Sequence, residues 1–194
     1  MNKSTRSLFI LFIVLTFSLL SACGTNGIKG ALNYEIDDFS YQNQDGKTVS
    51  LNDLKGEIWI ADFIFTSCDT VCPPMTAHMT ELQKQLKEEG LDVRFVSFSV
   101  DPEVDSPDKL KEFAGKYPLS LENWDFLTGY SQEDIDQFAK NSFKTIVQKP
   151  EGQDQVIHGT LFYLIDQNGK VMKDYNGVEN TPYDEIIEDV KKIQ

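Results

Sequence analysis

Histidine occurs twice and cysteine three times among the 194 residues of this chain. Three cysteines close at most one internal bridge, which excludes a disulfide-dense scaffold. Few Cys and His also leave little room for a structural zinc site, which normally takes four ligands from the protein. Positive charge is scarce: 18 Lys and Arg stand against 31 Asp and Glu, a formal net charge of −13. So acidic a chain repels nucleic acid and anionic lipid surfaces, and on electrostatic grounds neither is an expected partner. Long apolar runs are missing too. The stretch from Leu8 to Leu20 spans 13 residues, short of the roughly 20 that a helix needs to cross a bilayer. There is no internal repeat and no low-complexity tract.

That apolar stretch follows Lys3 and Arg6 and ends in Leu20-Ser21-Ala22-Cys23, the basic, apolar and small-residue order of a secretory leader. The LSAC ending resembles a bacterial lipoprotein box, which implies that residues 1–22 are a signal peptide and that Cys23 becomes a lipidated N-terminus. Several acyl chains at one residue would hold a protein at a membrane far more firmly than a single myristoyl group does. Cleavage removes Lys3 and Arg6 and moves the net charge from −13 to −15, so the anchor and not the surface charge has to do the holding. Residues 23–33 read as a flexible tether. Residues 34–194 read as one domain, because the chain left after cleavage can build one sizeable core but not two. The expected location is the extracytoplasmic face of the cell membrane, where disulfides are permitted.

Within the domain, FSYQNQDGKTVSL carries an Asp45-Gly46 turn between two short extended runs, a hairpin signal. An apolar strand is expected from Ile58 to Phe65, then a helix from about Pro74 to Glu89 closed by Gly90. LDVRFVSFSV reads as a second strand, parallel to the first through a right-handed crossover. Ser106-Pro107-Asp108 opens a short helix. WDFLTG forms a strand and turn, and Ser131 with Asp134 has the spacing of a capping box. VIHGTLFYLIDQNGKVMKDY gives two strands around Asn168-Gly169, and a helix from Pro182 to Lys192 ends the chain. Central strand, thiol turn, helix, strand, late hairpin and terminal helix is the order of an α/β thioredoxin-like fold. Its central mixed sheet is expected to be flanked by helices and to carry an N-terminal β-hairpin extension.

Cys68 and Cys72 lie where the first strand runs into the first helix. On one helical turn a spacing of four would put both sulfurs on one face, and a helix N-terminus favours the thiolate. Such a pair can form a disulfide, hold a soft metal, or both. Copper suits two thiolates and one imidazole, since Cu(I) accepts low coordination by sulfur and Cu(II) accepts mixed sulfur and nitrogen donors. His158, just before LFYLID, is the candidate third ligand where a thioredoxin-like fold carries its loop back past the thiol turn, and an ordinary loop histidine otherwise. His78, six residues after Cys72 on the helix, points away from it. Met75 and Met79 have the spacing of core residues more than of soft ligands. Asp62 interrupts an apolar strand; it either tunes the site from behind or lies on an exposed face. Asp101 ends the neighbouring strand on the side where α/β sites gather, with turn formation beside Pro102 as its simpler role.

DFIFTSCDTVCPPM, VSFSVDPEVDSPDKL, WDFLTG and VIHGTLFYLID together resemble, in order and spacing, the Sco/SenC proteins, anchored thioredoxin-like proteins linked to copper assembly in cytochrome c oxidase. The resemblance covers nearly the whole mature chain. It implies that Cys68, Cys72 and His158 bind copper, that Cys68 and Cys72 pair as a disulfide when oxidised, and that copper goes to the binuclear centre of oxidase subunit II. It assigns nothing to Asp62, Asp101 or the methionines. Gly159-Thr160 stands where thioredoxins carry a proline facing their dithiol, which favours metal binding. The chain thus reads primarily as a metal-binding assembly factor. The alternative is an extracytoplasmic thiol–disulfide oxidoreductase that reduces cysteines of the oxidase subunit or other partners, and either role requires a thiol reductant.

Overall fold

The computed structural model describes residues 27–194. The expected leader and the expected lipidation site, Cys23, lie outside them. In chain order the strands are β1 (Tyr34–Glu35), β2 (Ser40–Gln42), β3 (Thr48–Ser50), β4 (Trp59–Ile64), β5 (Arg94–Ser99), β6 (Trp124–Leu127), β7 (Val147–Gln148), β8 (Ile157–His158), β9 (Leu161–Ile165) and β10 (Lys170–Asn176). The helices are α1 (Cys72–Glu88), α2 (Pro107–Ala114), α3 (Gln132–Phe143) and α4 (Tyr183–Ile193). One six-stranded sheet, ordered β1-β10-β9-β4-β5-β6, forms the centre. β4, β5 and β6 are parallel, while β9, β10 and β1 run antiparallel. This is the thioredoxin-like arrangement expected from the sequence.

All six residues of β4 are buried. Because side chains alternate across a strand, burial of every one means that the helices cover both faces of the sheet there. The core gathers on this strand and on β5, where Phe63 and Phe98 stack at 5.6 Å between ring centres. α1 ends as its sequence signals. Gly90 takes φ 72°, its N–H donates to Lys87 C=O, and the Leu91 N–H donates to Leu86 C=O, which together make the Schellman pattern. α3 starts with the expected box, Ser131 and Asp134 capping each other reciprocally.

The N-terminal hairpin is β2 paired with β3. Asn43 shapes its turn, its side-chain oxygen accepting from the Asp45 and Lys47 amides while its amide donates to Asp125 on β6 at 2.7 Å. The packed body reaches back into the segment read as a tether. Ile28 is buried, and the Leu32 N–H donates to Met172 C=O at 2.9 Å.

Candidate metal centre

The site lies beyond the carboxyl ends of β4 and β5. β9 is antiparallel to β4, so its amino end, and His158 just ahead of it, comes to the same edge. Topology thus brings together residues 86 positions apart. The two Cys sulfurs and a ring nitrogen of His158 all lie within 4.8 Å of one another.

The cysteines meet differently from the expectation of a shared helical turn. α1 starts at Cys72, two residues earlier than expected, and Cys68 stays in the preceding loop. Pro73 and Pro74 occupy the first turn, where a missing N–H leaves nothing unsatisfied. The Cys72 amide does need a partner, and it donates to the sulfur of Cys68 at 3.3 Å. Val71, the residue at the cap position, makes no side-chain cap. Cys68 therefore performs part of the capping task, and the exposed N–H groups of the helix end favour negative charge on its sulfur.

His158 is oriented from both sides. Its Nδ1 lies 2.8 Å from the carbonyl of Gly159. A carbonyl only accepts, so Nδ1 carries a proton and Nε2 is the atom turned to Cys72, 3.5 Å from its sulfur. Phe65 meets the ring edge-on at 5.7 Å. Backbone pairing of Val147 with His158 in the β7–β8 ribbon holds the main chain. Gly159 has no room for a side chain, because a Cβ there would sit 2.2 Å from Thr145 Oγ1.

The two thiols are electrostatically unequal. The Cys72 thiol, interacting with the sulfur of Cys68, holds Cys68 well below the ordinary thiol range against the opposing effect of burial, and His158 and the amides of Cys72 and Thr70 add to the lowering. Cys72 is pushed the other way, first by Cys68 and then by its own burial, with the charge of Asp62 adding to the rise. Of the two, Cys68 is accordingly the thiol favoured to ionise and Cys72 the one favoured to keep its proton. Both cysteines are free and buried, Cys72 completely.

Asp62 does not lie on an exposed face. It is fully buried, neither carboxyl oxygen has a hydrogen-bond partner, and burial pushes it up to about 7 against the lowering effects of Ser97 and His158. Asp101 makes the expected turn, its carbonyl accepting from the amides of Val104 and Asp105. Its buried carboxylate also accepts from Lys149 Nζ at 2.7 Å. Met75 and Met79 are fully buried core residues. His78 turns away from the thiols, with Nε2 donating to Val178 C=O and Nδ1 accepting from the Tyr183 hydroxyl.

The sequence reading passed over Asp105, Thr66, Lys149 and Thr145. Asp105 is 1% exposed and accepts from the Thr66 amide, from the Thr66 hydroxyl at 2.5 Å and from the Ser99 hydroxyl at 2.6 Å. The second aspartate of DPEVD, directly ahead of the helix-opening Ser106, was the available signal. Lys149 and Thr145 gave none, since one lysine or threonine in a loop resembles any other.

A family model described as SCO1/SenC matches residues 30–194. The chain is 68% identical to a SCO1 protein homolog of Bacillus subtilis over 177 residues, 91% of this chain and 92% of the relative. A structure of BsSco, described as a member of the Sco family of cytochrome c oxidase assembly proteins in which a disulfide switch was identified, is 69% identical. It has a TM-score of 0.80 and covers 86% of this chain and 96% of its own. A SCO1/SenC family lipoprotein from Bacillus anthracis is 57% identical, with a TM-score of 0.84 and 86% and 99% coverage. ScoI of Arabidopsis thaliana, crystallised with copper bound, is 30% identical, with a TM-score of 0.69 and 81% and 96% coverage.

Proposed function

This chain belongs to the SCO1/SenC family, and from that premise we propose that it is a copper-binding assembly factor for cytochrome c oxidase. Its cargo is held by the sulfurs of Cys68 and Cys72 and by Nε2 of His158. The convergence of these three donors within 4.8 Å carries the reading. Two sulfurs suit Cu(I), and adding a nitrogen serves Cu(II) as well. One sulfur is already poised as thiolate, and Nε2 faces the pair, so the donor set fits copper. Support comes from the copper-bound Arabidopsis relative and from BsSco as an oxidase assembly protein.

Delivery proceeds by stepwise ligand exchange to thiols and imidazoles of the acceptor, the binuclear copper centre of oxidase subunit II. Joining the two ligating thiolates in a disulfide, with two electrons passing to a partner's disulfide whose two new thiols take their protons from solvent, removes two ligands and releases the metal. A thiol reductant restores them. Cys23 carries the lipid that keeps the domain on the extracytoplasmic face of the cell membrane. The lipoprotein from Bacillus anthracis supports that placement, and among the described residues no helix is long and apolar enough to cross a membrane.

The inequality of the thiols favours a second reading, a thiol–disulfide oxidoreductase in which Cys68 attacks and Cys72 resolves. Copper titration of the reduced protein beside His158→Ala, read by absorption and electron spin resonance, separates the two. One tight equivalent with thiolate-to-Cu(II) charge transfer, weakened severely in the variant, is the expected result. Ill-defined binding indifferent to His158 would leave the oxidoreductase.

A further inference from the structure

The metal site has two arms, the loop that carries Cys68 and the β7–β8 ribbon that carries His158. Both reach the same short segment, residues 101–105, between β5 and α2. That segment is closed on itself, the Asp101 carbonyl accepting from the Val104 and Asp105 amides at 3.0 and 2.9 Å. Its two buried carboxylates then diverge. Asp105 accepts from both the amide and the hydroxyl of Thr66, two residues before Cys68, and its own carbonyl accepts from the Thr128 hydroxyl at 2.7 Å. Asp101 accepts from Lys149, which follows β7 directly, and Val147 on β7 pairs with His158.

We propose that residues 101–105 are a positioning bracket for the metal centre, with Asp105 setting the cysteine arm through Thr66 and Asp101 setting the histidine arm through Lys149. None of the four is offered as a copper ligand; each acts through another residue. The physical ground is that hydrogen bonds to a buried charged group are stronger than neutral ones, and removing one partner leaves the other buried and unsatisfied. Groups held in this way keep ligands in place, and the loss of such support typically weakens metal affinity about ten- to hundredfold. The part of the inference that concerns copper rests on the function proposed above.

The test uses the purified full-length protein, reduced, as Asp105→Asn, Thr66→Val and Lys149→Met. Hydrogen exchange followed by NMR without metal reads each arm separately, and titration with copper alone then reads the assembled centre. Asp105→Asn and Thr66→Val are expected to speed exchange of the Cys72 amide, which donates to Cys68, by about tenfold and to leave the β7–β8 amides unchanged. Lys149→Met is expected to do the reverse. All three should weaken copper binding within the ten- to hundredfold range, with Lys149→Met reducing the nitrogen hyperfine of His158. Should Asp105→Asn not fold, Thr66→Val carries the cysteine arm. Exchange that speeds equally in both arms, as a merely structural role would give, overturns the bracket. So does a folded variant whose own arm does not change. A wild-type protein that binds no copper would defeat the proposed function, while the metal-free exchange would still decide the bracket.

Discussion

Nε2 of His158 lies 3.5 Å from the sulfur of Cys72 while Nδ1 of the same ring is held by the Gly159 carbonyl at 2.8 Å. One hydrogen bond between neighbouring residues thus decides which nitrogen is offered to a metal. That bond depends on the path of the chain through Gly159, and Thr145 restricts that path.

Gly159→Ala is therefore expected to weaken copper binding without touching a ligand. Its new methyl would meet Thr145 Oγ1 at 2.2 Å, and overpacking of this kind costs about 1–3 kcal/mol. Adding Thr145→Ala should restore much of both stability and affinity, since the next contact, Thr145 Cβ, lies at 3.4 Å. Denaturant unfolding and copper titration of the single and double variants check this; a double variant as impaired as Gly159→Ala would place the fault elsewhere.

Asp62 makes a pH prediction. Its folded value is raised from 3.8 to about 7, so between those values the folded state binds more protons than the unfolded one. Its contribution to stability is fully present below about pH 4 and is lost as pH rises through 7. The shift corresponds to roughly 4 kcal/mol at most. Asp62→Asn should flatten this decline and gain stability relative to wild type as the pH is raised from 5 to 8. Parallel curves for the two proteins would refute it.

The unequal thiols are open to a chemical test. Iodoacetamide at pH 6 should modify Cys68 well before Cys72, because the thiolate is the nucleophile and Cys72 is both protonated and fully buried. Mass spectrometry of the peptides reads the order. Modification of Cys72 first would reverse the assignment of roles.

Oxidation supplies a further check. Protein treated with diamide until both thiols are lost as one intramolecular disulfide should bind copper at least about a hundredfold more weakly, having lost two of three ligands, and thiol reduction should restore binding. Copper retained by the oxidised protein would end the gating scheme.

His78 serves as the control histidine. Its two hydrogen bonds join α1 to Tyr183 and Val178, so His78→Ala should lower stability by about 1–2 kcal/mol and leave the copper spectrum as it was. A changed spectrum would mean that this histidine reaches the site after all.

Local chemistry sufficed to mark the elements from the sequence. The helix stop at Gly90, the cap at Ser131, the turn at Asn168-Gly169 and the wholly apolar surroundings of Asp62 are properties of a few adjacent residues, and the elements so marked lie within two or three residues of their expected places, whereas β1 and the β7–β8 ribbon were not expected. The scarcity of Cys and His limited the candidates to the Cys68–Cys72 pair and two histidines, and choosing His158 over His78 already drew on the expected helix and fold. Sequence distance hid the rest. Whether Asp62 was buried depended on both faces of the sheet being covered at β4, and whether His158 could meet the thiols depended on β9 running antiparallel to β4. The placement of Cys68 before the helix arose because the Cys72 amide took a sulfur as its acceptor. The links from Asp105 to Thr66, and from Asp101 to Lys149, span 39 and 48 positions. Nothing local distinguishes such residues, because a buried carboxylate acquires its partners only when the core closes around it and excludes the water that would otherwise serve.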